Sequence, residues 1–296
     1  MNARLGVAAI LGAVTIYGLN FGFTRQATLR GLAPLDIVAM RFGIAGIIML
    51  PVFIRRGVAT CAGVGWGRGI VLAVAGGAPM TLIMNVGLSL APAAHGAALG
   101  PGAVTAVGVV YGLVSGMAVP VGWTWAGLIS IAAGLAGIAV AGTVSGSPNV
   151  LAGDLLFLTN GVIWGFYPVL LMRWRVDGIT GAAVVLVLSA CCLPAYFAFA
   201  PFRSTDVPLA YVAFQAVFQG LVNGIAGLWL WGYAVRVLGA RSQLFPPLIP
   251  VLGTMFAFPI LGEVPGSVQA LGIAAIVGGI GMAVLGERIA RRRSGA

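Results

Sequence analysis

The sequence predicts an all-α integral membrane protein of ten transmembrane helices, built as two inverted five-helix repeats. Three observations predict it. The chain is 60% hydrophobic and only 7% charged, whereas soluble domains carry about 25% charged residues. Apolar runs of bilayer length follow one another, separated by short polar or Pro/Gly-rich punctuation. The second half repeats the plan of the first. A mean hydropathy of +1.07 leaves no stretch from which a sizeable water-facing domain could be made.

A hydrocarbon core about 30 Å thick needs about 20 apolar residues per helix. Runs near 5–25, 35–54, 69–90, 94–115, 123–142, 153–173, 179–199, 208–235, 242–261 and 266–286 meet that need. None alternates apolar and polar residues as the strands of an outer-membrane barrel do.

The first run follows Arg4 and could pass for a signal peptide, but it lacks a small-residue cleavage site and is long enough to span. It places Tyr17 and Asn20 at i and i+3, hence on one face. The second carries Arg41, about 10 Å inside if the helix begins near Leu35 and rises 1.5 Å per residue. Snorkelling outward, or pairing with Asp36 or free carbonyls, is the expected relief, in a structural role. The third offers Met80, Met84 and Asn85 after Pro79. Thioethers there suit either a soft, adaptable binding wall or simple core filling.

The fourth run starts near His95, the only side chain whose ordinary pKa lies near neutrality. It either closes a hydrogen bond at the helix end or takes part in proton coupling. The fifth is apolar throughout. In the sixth, Asp154 lies in the first turn, where the helix dipole favours it, and Trp164 and Tyr167 again share a face. Asn20 and Asn160 in mid-membrane both require partners. Cys191 and Cys192, in the seventh run, form with Cys61 no even framework and no metal spacing, and read as packing residues. The eighth carries Gln215, Gln219 and Asn223 at i, i+4 and i+8, a polar stripe that must face the bundle or water. Prolines at 79, 101, 168, 246, 247 and 250 free backbone carbonyls and permit kinks, and broken helices in corresponding places point to a binding site. The terminal Arg291-Arg292-Arg293 reads as a membrane-surface anchor.

Sliding the chain on itself by 145 positions superimposes Gly87 on Gly232, Pro101 on Pro246, Gly108 on Gly253, Pro120 on Pro265, Gly127 on Gly272, Ile131 on Ile276 and Gly134 on Gly279. A shift of 147 aligns the starts, placing Tyr17-Gly18 on Trp164-Gly165. Two repeats follow, 1–145 and 146–296. Five helices is an odd number, so the second repeat enters the bilayer from the opposite side, an architecture suited to alternating access.

Orientation follows from the arginines. With the N-terminus inside, Arg4, Arg55, Arg56, Arg68, Arg173, Arg175, Arg236, Arg241, Arg288, Arg291, Arg292 and Arg293 are cytoplasmic, while Arg25, Arg30 and Arg203 are outside. Both termini are therefore expected in the cytoplasm. The net charge of +10 reads as topology and contact with anionic lipid, with no nucleic-acid partner.

Residues 17–21 (Tyr-Gly-Leu-Asn-Phe), Pro34, Arg41-Phe42, Ala240-Arg241-Ser242, Pro246-Pro247-Leu248-Ile249-Pro250, Gly262-Glu263 and Gly272 together resemble the drug/metabolite transporter superfamily, in its EamA-like branch. The resemblance spans both repeats. Within the branch the chain is most similar to bacterial aromatic amino-acid exporters. It implies ten helices, a central cavity from spans one, three, four, six, eight and nine, and export of small metabolites. The repeats differ where the first has Met117-Ala118 against Gly262-Glu263, so a gate is expected to be asymmetric.

The chain thus reads as an inner-membrane exporter of neutral or zwitterionic metabolites, foremost bulky and aromatic amino acids. Facilitated efflux is favoured over proton antiport, because no carboxylate falls in mid-span: Asp36, Asp154, Asp177, Asp206, Glu263 and Glu287 lie at span ends or in loops. Expected substrate-binding residues are Tyr17, Asn20, Met80, Met84, Asn85, His95, Trp164, Tyr167, Asn223 and Pro246, around a polar, aromatic, uncharged cavity. Without lysine there is no phosphate loop ending in Gly-Lys-Ser/Thr. No metal, cofactor or catalytic residue is expected; the partners are a small-molecule substrate and the bilayer, and the carrier is a monomer. The rival readings are proton-coupled efflux of drugs or other metabolites, an intramembrane hydrolase pairing His95 with a serine such as Ser89 or Ser115, and an assembly subunit without its own cargo.

Overall fold

In a computed structural model, residues 3–114, 122–143, 148–199, 206–262 and 266–293 are described, and they form helices joined by short turns, with no strand among them. Ser115, Met117, Ala118, Pro120, Arg203, Glu263 and Pro265 lie outside the described residues.

The first helix, α1, is Ala3–Leu29. Helix α2, Pro34–Arg55, opens on a proline, whose fixed φ and missing N–H suit a first helical position. The third predicted run is two helices, α3 (Trp66–Gly76) and α4 (Ala78–Leu90). Pro79 has no N–H and its ring would meet the carbonyl four residues back, so the helix breaks at Gly77. There the Ala78 N–H is donated to the Ser189 hydroxyl at 3.0 Å, and a Cβ on Gly77 would lie 2.2 Å from that oxygen. The break is thus satisfied from a neighbouring helix, as hydrocarbon requires.

Helix α5, Ala93–Val114, absorbs Pro101 without breaking, and α6 is Gly122–Thr143. Helix α7 is Pro148–Trp174. The seventh run divides into α8 (Gly178–Ala190) and α9 (Leu193–Phe199) around Cys191 and Cys192, which are exposed; only Cys61 is buried as expected. The eighth is α10 (Leu209–Val217), a π-helical stretch Phe218–Gly227, and α11 (Leu228–Leu238). The ninth begins later than its apolar run. A 3₁₀ stretch covers Gly239–Leu244 and α12 runs Leu248–Leu261, because Pro246 and Pro247 have no N–H to donate back into the preceding turn. Helix α13 is Ser267–Arg293.

Among the described residues six helical stretches are long and apolar enough to cross a bilayer: Ala3–Leu29, Pro34–Arg55, Trp66–Leu90, Asn149–Trp174, Gly178–Ala198 and Leu209–Leu238. Their outer faces stay apolar, with Ile47 70% and Leu209 81% exposed. In water such a surface would aggregate; lipid matches it.

Small residues set the packing, as expected where lipid tails remove the hydrophobic drive between helices. A Cβ on Gly134 of α6 would lie 2.5 Å from the Gly272 carbonyl oxygen and 2.9 Å from Ile276 of α13. Conversely, a Cβ on Gly279 of α13 would lie 2.6 Å from the Gly127 carbonyl oxygen and 2.8 Å from Ile131 of α6. Between these pairs the Ser130 hydroxyl donates to the Ala275 carbonyl at 2.8 Å. The two contacts exchange under the 145-residue shift. A second reciprocal pair is Gly18 of α1 against Leu252 of α12 and Gly165 of α7 against Val107 of α5.

Candidate functional site

The first half of the sequence contributes Tyr17, Asn20, Arg41, Met80 and Met84 to one buried cavity, and the second half contributes Asn160, Trp164 and Leu228. Its volume is about 30 Å³. A water needs about 10–15 Å³ on this scale, whereas pockets that hold small ligands measure about 300–1,000 Å³. The structure therefore shows the site contracted, and a solute the size of an amino acid requires its walls to separate.

One wall is aromatic. Tyr17 and Trp164 meet at right angles with centroids 5.2 Å apart, and Trp231 completes a triad at 5.8 Å from Tyr17 and 5.3 Å from Trp164. These spacings suit edge-to-face and offset ring attraction. Gly227, whose Cβ would lie 3.1 Å from the Tyr17 ring, lets α11 approach. Sequence reasoning did not single out Trp231. It is fully buried, yet two residues from it the half-exposed Trp229 looks the same in a one-dimensional apolar run.

The polar stripe of the eighth run is used in stitching. The Gln215 side-chain N–H donates to the Phe23 carbonyl at 3.1 Å, and Gln219 donates to the Thr24 hydroxyl at 3.0 Å. Asn223 donates to Asn20 Oδ1 at 2.6 Å and to Gln219 Oε1 at 3.0 Å. All three lie against α1, and Asn223 stands behind Asn20, outside the cavity lining. The π-helical turn and its glycines serve this arrangement: Gly220 packs on Ile44, and Gly224 on Ala45 and the Arg41 stem. Such turns are rare and are frequent at functional sites.

Asn20 Oδ1 accepts from Asn223 and, at 3.1 Å, from the Thr24 hydroxyl, while among the described residues no acceptor takes the Asn20 amide donors. Asn160 is the reverse. Its amide nitrogen donates to the Met80 carbonyl at 2.9 Å, leaving its oxygen as an acceptor.

The cavity is not uncharged. Arg41 lines it at 4% exposure and its Nε has no hydrogen-bond partner among the described residues. Among the described residues no ion pair joins Arg41 to Asp36, whose carboxylate accepts from the Tyr196 hydroxyl at 2.5 Å. Nor does Arg41 snorkel: its stem packs between Gly224 and Phe42, whose ring centroid is 5.5 Å from the guanidinium carbon.

The other expected residues lie elsewhere. Tyr167 is fully buried with its ring against Gly76 and its hydroxyl near Gly181, on the α3 and α8 side, without a hydrogen-bond partner. Asn85 donates to the Pro34 carbonyl at 3.4 Å. The Pro246 carbonyl accepts from the Ile249 N–H at 2.9 Å, so it is not free for a solute. His95 Nδ1 lies 2.7 Å from Asp154 Oδ1, fully buried and outside the cavity. The Ser89 hydroxyl donates to its own helix at Val86, so no His95–Ser89 dyad forms.

Residues 4–140 and 151–285 match the profile of the EamA-like transporter family. An uncharacterized transporter of Archaeoglobus fulgidus is 26% identical over 285 residues, 95% of this chain and 97% of its own. A probable terminal-alkyne amino-acid exporter of Streptantibioticus cattleyicolor is 30% identical over 183 residues, 57% of this chain and 58% of its own. A solved crystal structure superposes over 96% of this chain and 99% of its own with a TM-score of 0.65 at 24% identity, a likeness of fold.

Proposed function

This chain belongs to the EamA-like transporter family, and on that premise we propose that it exports small zwitterionic metabolites, foremost aromatic and other bulky amino acids. The observation that carries the reading is the aromatic corner of Tyr17 and Trp164, contributed by opposite halves and flanked by Asn20 and Asn160. Rings from two halves stack on an apolar side chain only when the halves approach. Their separation then releases it, which is the requirement of alternating access. The thioethers of Met80 and Met84 supply a wall that adapts to side chains of different shape. A relative named as an amino-acid exporter supports the class.

We place the protein in the inner membrane as ten spans with both termini cytoplasmic, its halves 1–145 and 146–296 inverted. The reciprocal glycine contacts of α6 and α13 support a two-fold relation between them. Facilitated efflux is the coupling the cavity favours, since no carboxylate lines it among the described residues. The pair of buried His95 with partly exposed Asp154 supports a second reading, proton-coupled efflux. The test is counterflow of labelled phenylalanine, tryptophan, methionine and threonine in liposomes without an ion gradient. Saturable flux with aromatic substrates preferred is expected; no flux with intact protein removes amino acids from first place.

A further inference from the structure

We infer that Arg41 is the carboxylate-binding residue of this cavity, and that the carrier therefore recognises apolar or aromatic carboxylates, for which a substrate ammonium group is dispensable. The inference rests on the reading of the cavity as the substrate site and refines its chemistry.

An arginine held in the hydrocarbon region is costly and is normally paired. Among the described residues no carboxylate pairs with Arg41, whose neighbour Asp36 is engaged by Tyr196, while Asp154 and Asp177 pair with His95 and Arg56. Its Nε has no hydrogen-bond partner among the described residues. The packing holds the side chain in place: Gly224 makes room for its stem, and Phe42 lies beside the guanidinium. A buried cation on a cavity wall, without a carboxylate partner among the described residues, is suited to an anion that comes and goes. The planar guanidinium fits a carboxylate in a two-pronged geometry that a lysine cannot supply.

The rest of the lining agrees. The unused Asn20 amide is a second donor for a carboxylate oxygen. An ammonium group, by contrast, finds the neutral Asn160 oxygen, and among the described residues no acidic side chain lines the cavity. The aromatic corner and Met80 receive the apolar remainder. The acid is thus held by charge and the amine only by a neutral hydrogen bond, so removing the amine is tolerated and neutralising the acid is not.

The test uses the purified full-length protein and follows its thermal unfolding with phenylalanine, 3-phenylpropanoate, phenylalaninamide and inorganic phosphate, in the unsubstituted chain and in Arg41→Gln and Arg41→Lys. The expected result is stabilisation by the two carboxylates and not by the amide. The concentration needed should rise at least about tenfold in Arg41→Gln, as loss of one charge-assisted pair predicts, with partial recovery in Arg41→Lys. Equal stabilisation by acid and amide, an unchanged response in Arg41→Gln, stabilisation by phosphate alone, or no response to any carboxylate would each overturn the inference. Should Arg41→Gln not fold, the acid-versus-amide comparison in the unsubstituted chain decides. Counterflow separates the two levels. If phenylalanine is not transported yet 3-phenylpropanoate still binds through Arg41, the amino-acid reading fails and this one stands. If phenylalanine is transported and its amide competes equally, the reverse holds.

Discussion

Tyr17 and Trp164 occupy corresponding positions in the two halves of the chain and meet at right angles, ring centroids 5.2 Å apart, across one buried cavity. This contact is where the two halves touch the candidate solute path. Replacing Trp164 by Ala removes its half of the corner, so counterflow of phenylalanine and tryptophan should fall by more than that of threonine. Aromatic pairs contribute about 0.5–1.5 kcal/mol beyond area burial, or about two- to tenfold in affinity. An equal fall for all substrates would refute a stacking role.

The α6–α13 contact is predicted to tolerate no side chain. A methyl group at Gly134 or Gly279 meets a backbone carbonyl at 2.5 or 2.6 Å, and relief requires the helices to part. Each substitution to Ala should destabilise by about 1–3 kcal/mol, as overpacking does. The double variant should cost less than the sum, because the first separation relieves the second clash. Thermal unfolding in detergent reads both, and additivity would mean the two contacts do not share one interface.

Asp177 caps α8 by accepting from the Ile179 and Thr180 N–H groups at 3.1 and 3.0 Å, and pairs with Arg56 at 2.9 Å. Burial alone would raise its pKa, but the Thr180 hydrogen bonds and the Arg56 guanidinium outweigh that and hold it below the ordinary value. A depressed folded-state pKa stabilises above the unfolded value, about 3.9 for aspartate, and the contribution is lost as pH falls through the folded value. Stability should therefore be insensitive to this group from neutral pH down to that range and decline below it. Asp177→Ala should lower stability by about 1 kcal/mol at neutral pH, the usual loss of a cap, and should remove this acid decline. An unchanged acid limb in the variant would assign the decline to other carboxylates.

His95→Gln tests coupling. His95 is buried, its partner Asp154 is partly exposed, and both lie outside the cavity, so gradient-free counterflow should persist while thermal stability falls. An imposed pH gradient should drive no accumulation in the unsubstituted protein. If it does, and His95→Gln abolishes it, the carrier is an antiporter.

The helical class and the membrane-spanning character were legible because length and hydrophobicity are local properties that a bilayer selects directly. Tyr17, Asn20, Met80, Met84 and Trp164 were legible as cavity residues because periodicity and the repeat put them on inward faces at matching depths. Tyr167 was placed among them by the same periodicity, yet Gly76 draws its ring to the α3 side. Asn223 carried a true signal, inward polarity, that does not distinguish lining a cavity from holding up a residue that does. The helix breaks were only half legible: prolines marked Gly77 and Leu248, but nothing marked the π-helical turn, which arises from close packing of Gly220 and Gly224 on α2.

Sequence by itself determined that this chain is solvated by lipid, is helical, repeats its plan, and keeps its carboxylates out of mid-span, because each is a property of composition or spacing. Tertiary structure alone decided which polar groups are partnered. Asn20, Asn223, Asp36 and Arg41 look equivalent along the chain, as polar residues requiring relief. Only the fold gives Asn223 to Asn20 and Asp36 to Tyr196, leaving Arg41 facing the cavity, since hydrogen bonds are made over ångströms in space between residues far apart in sequence.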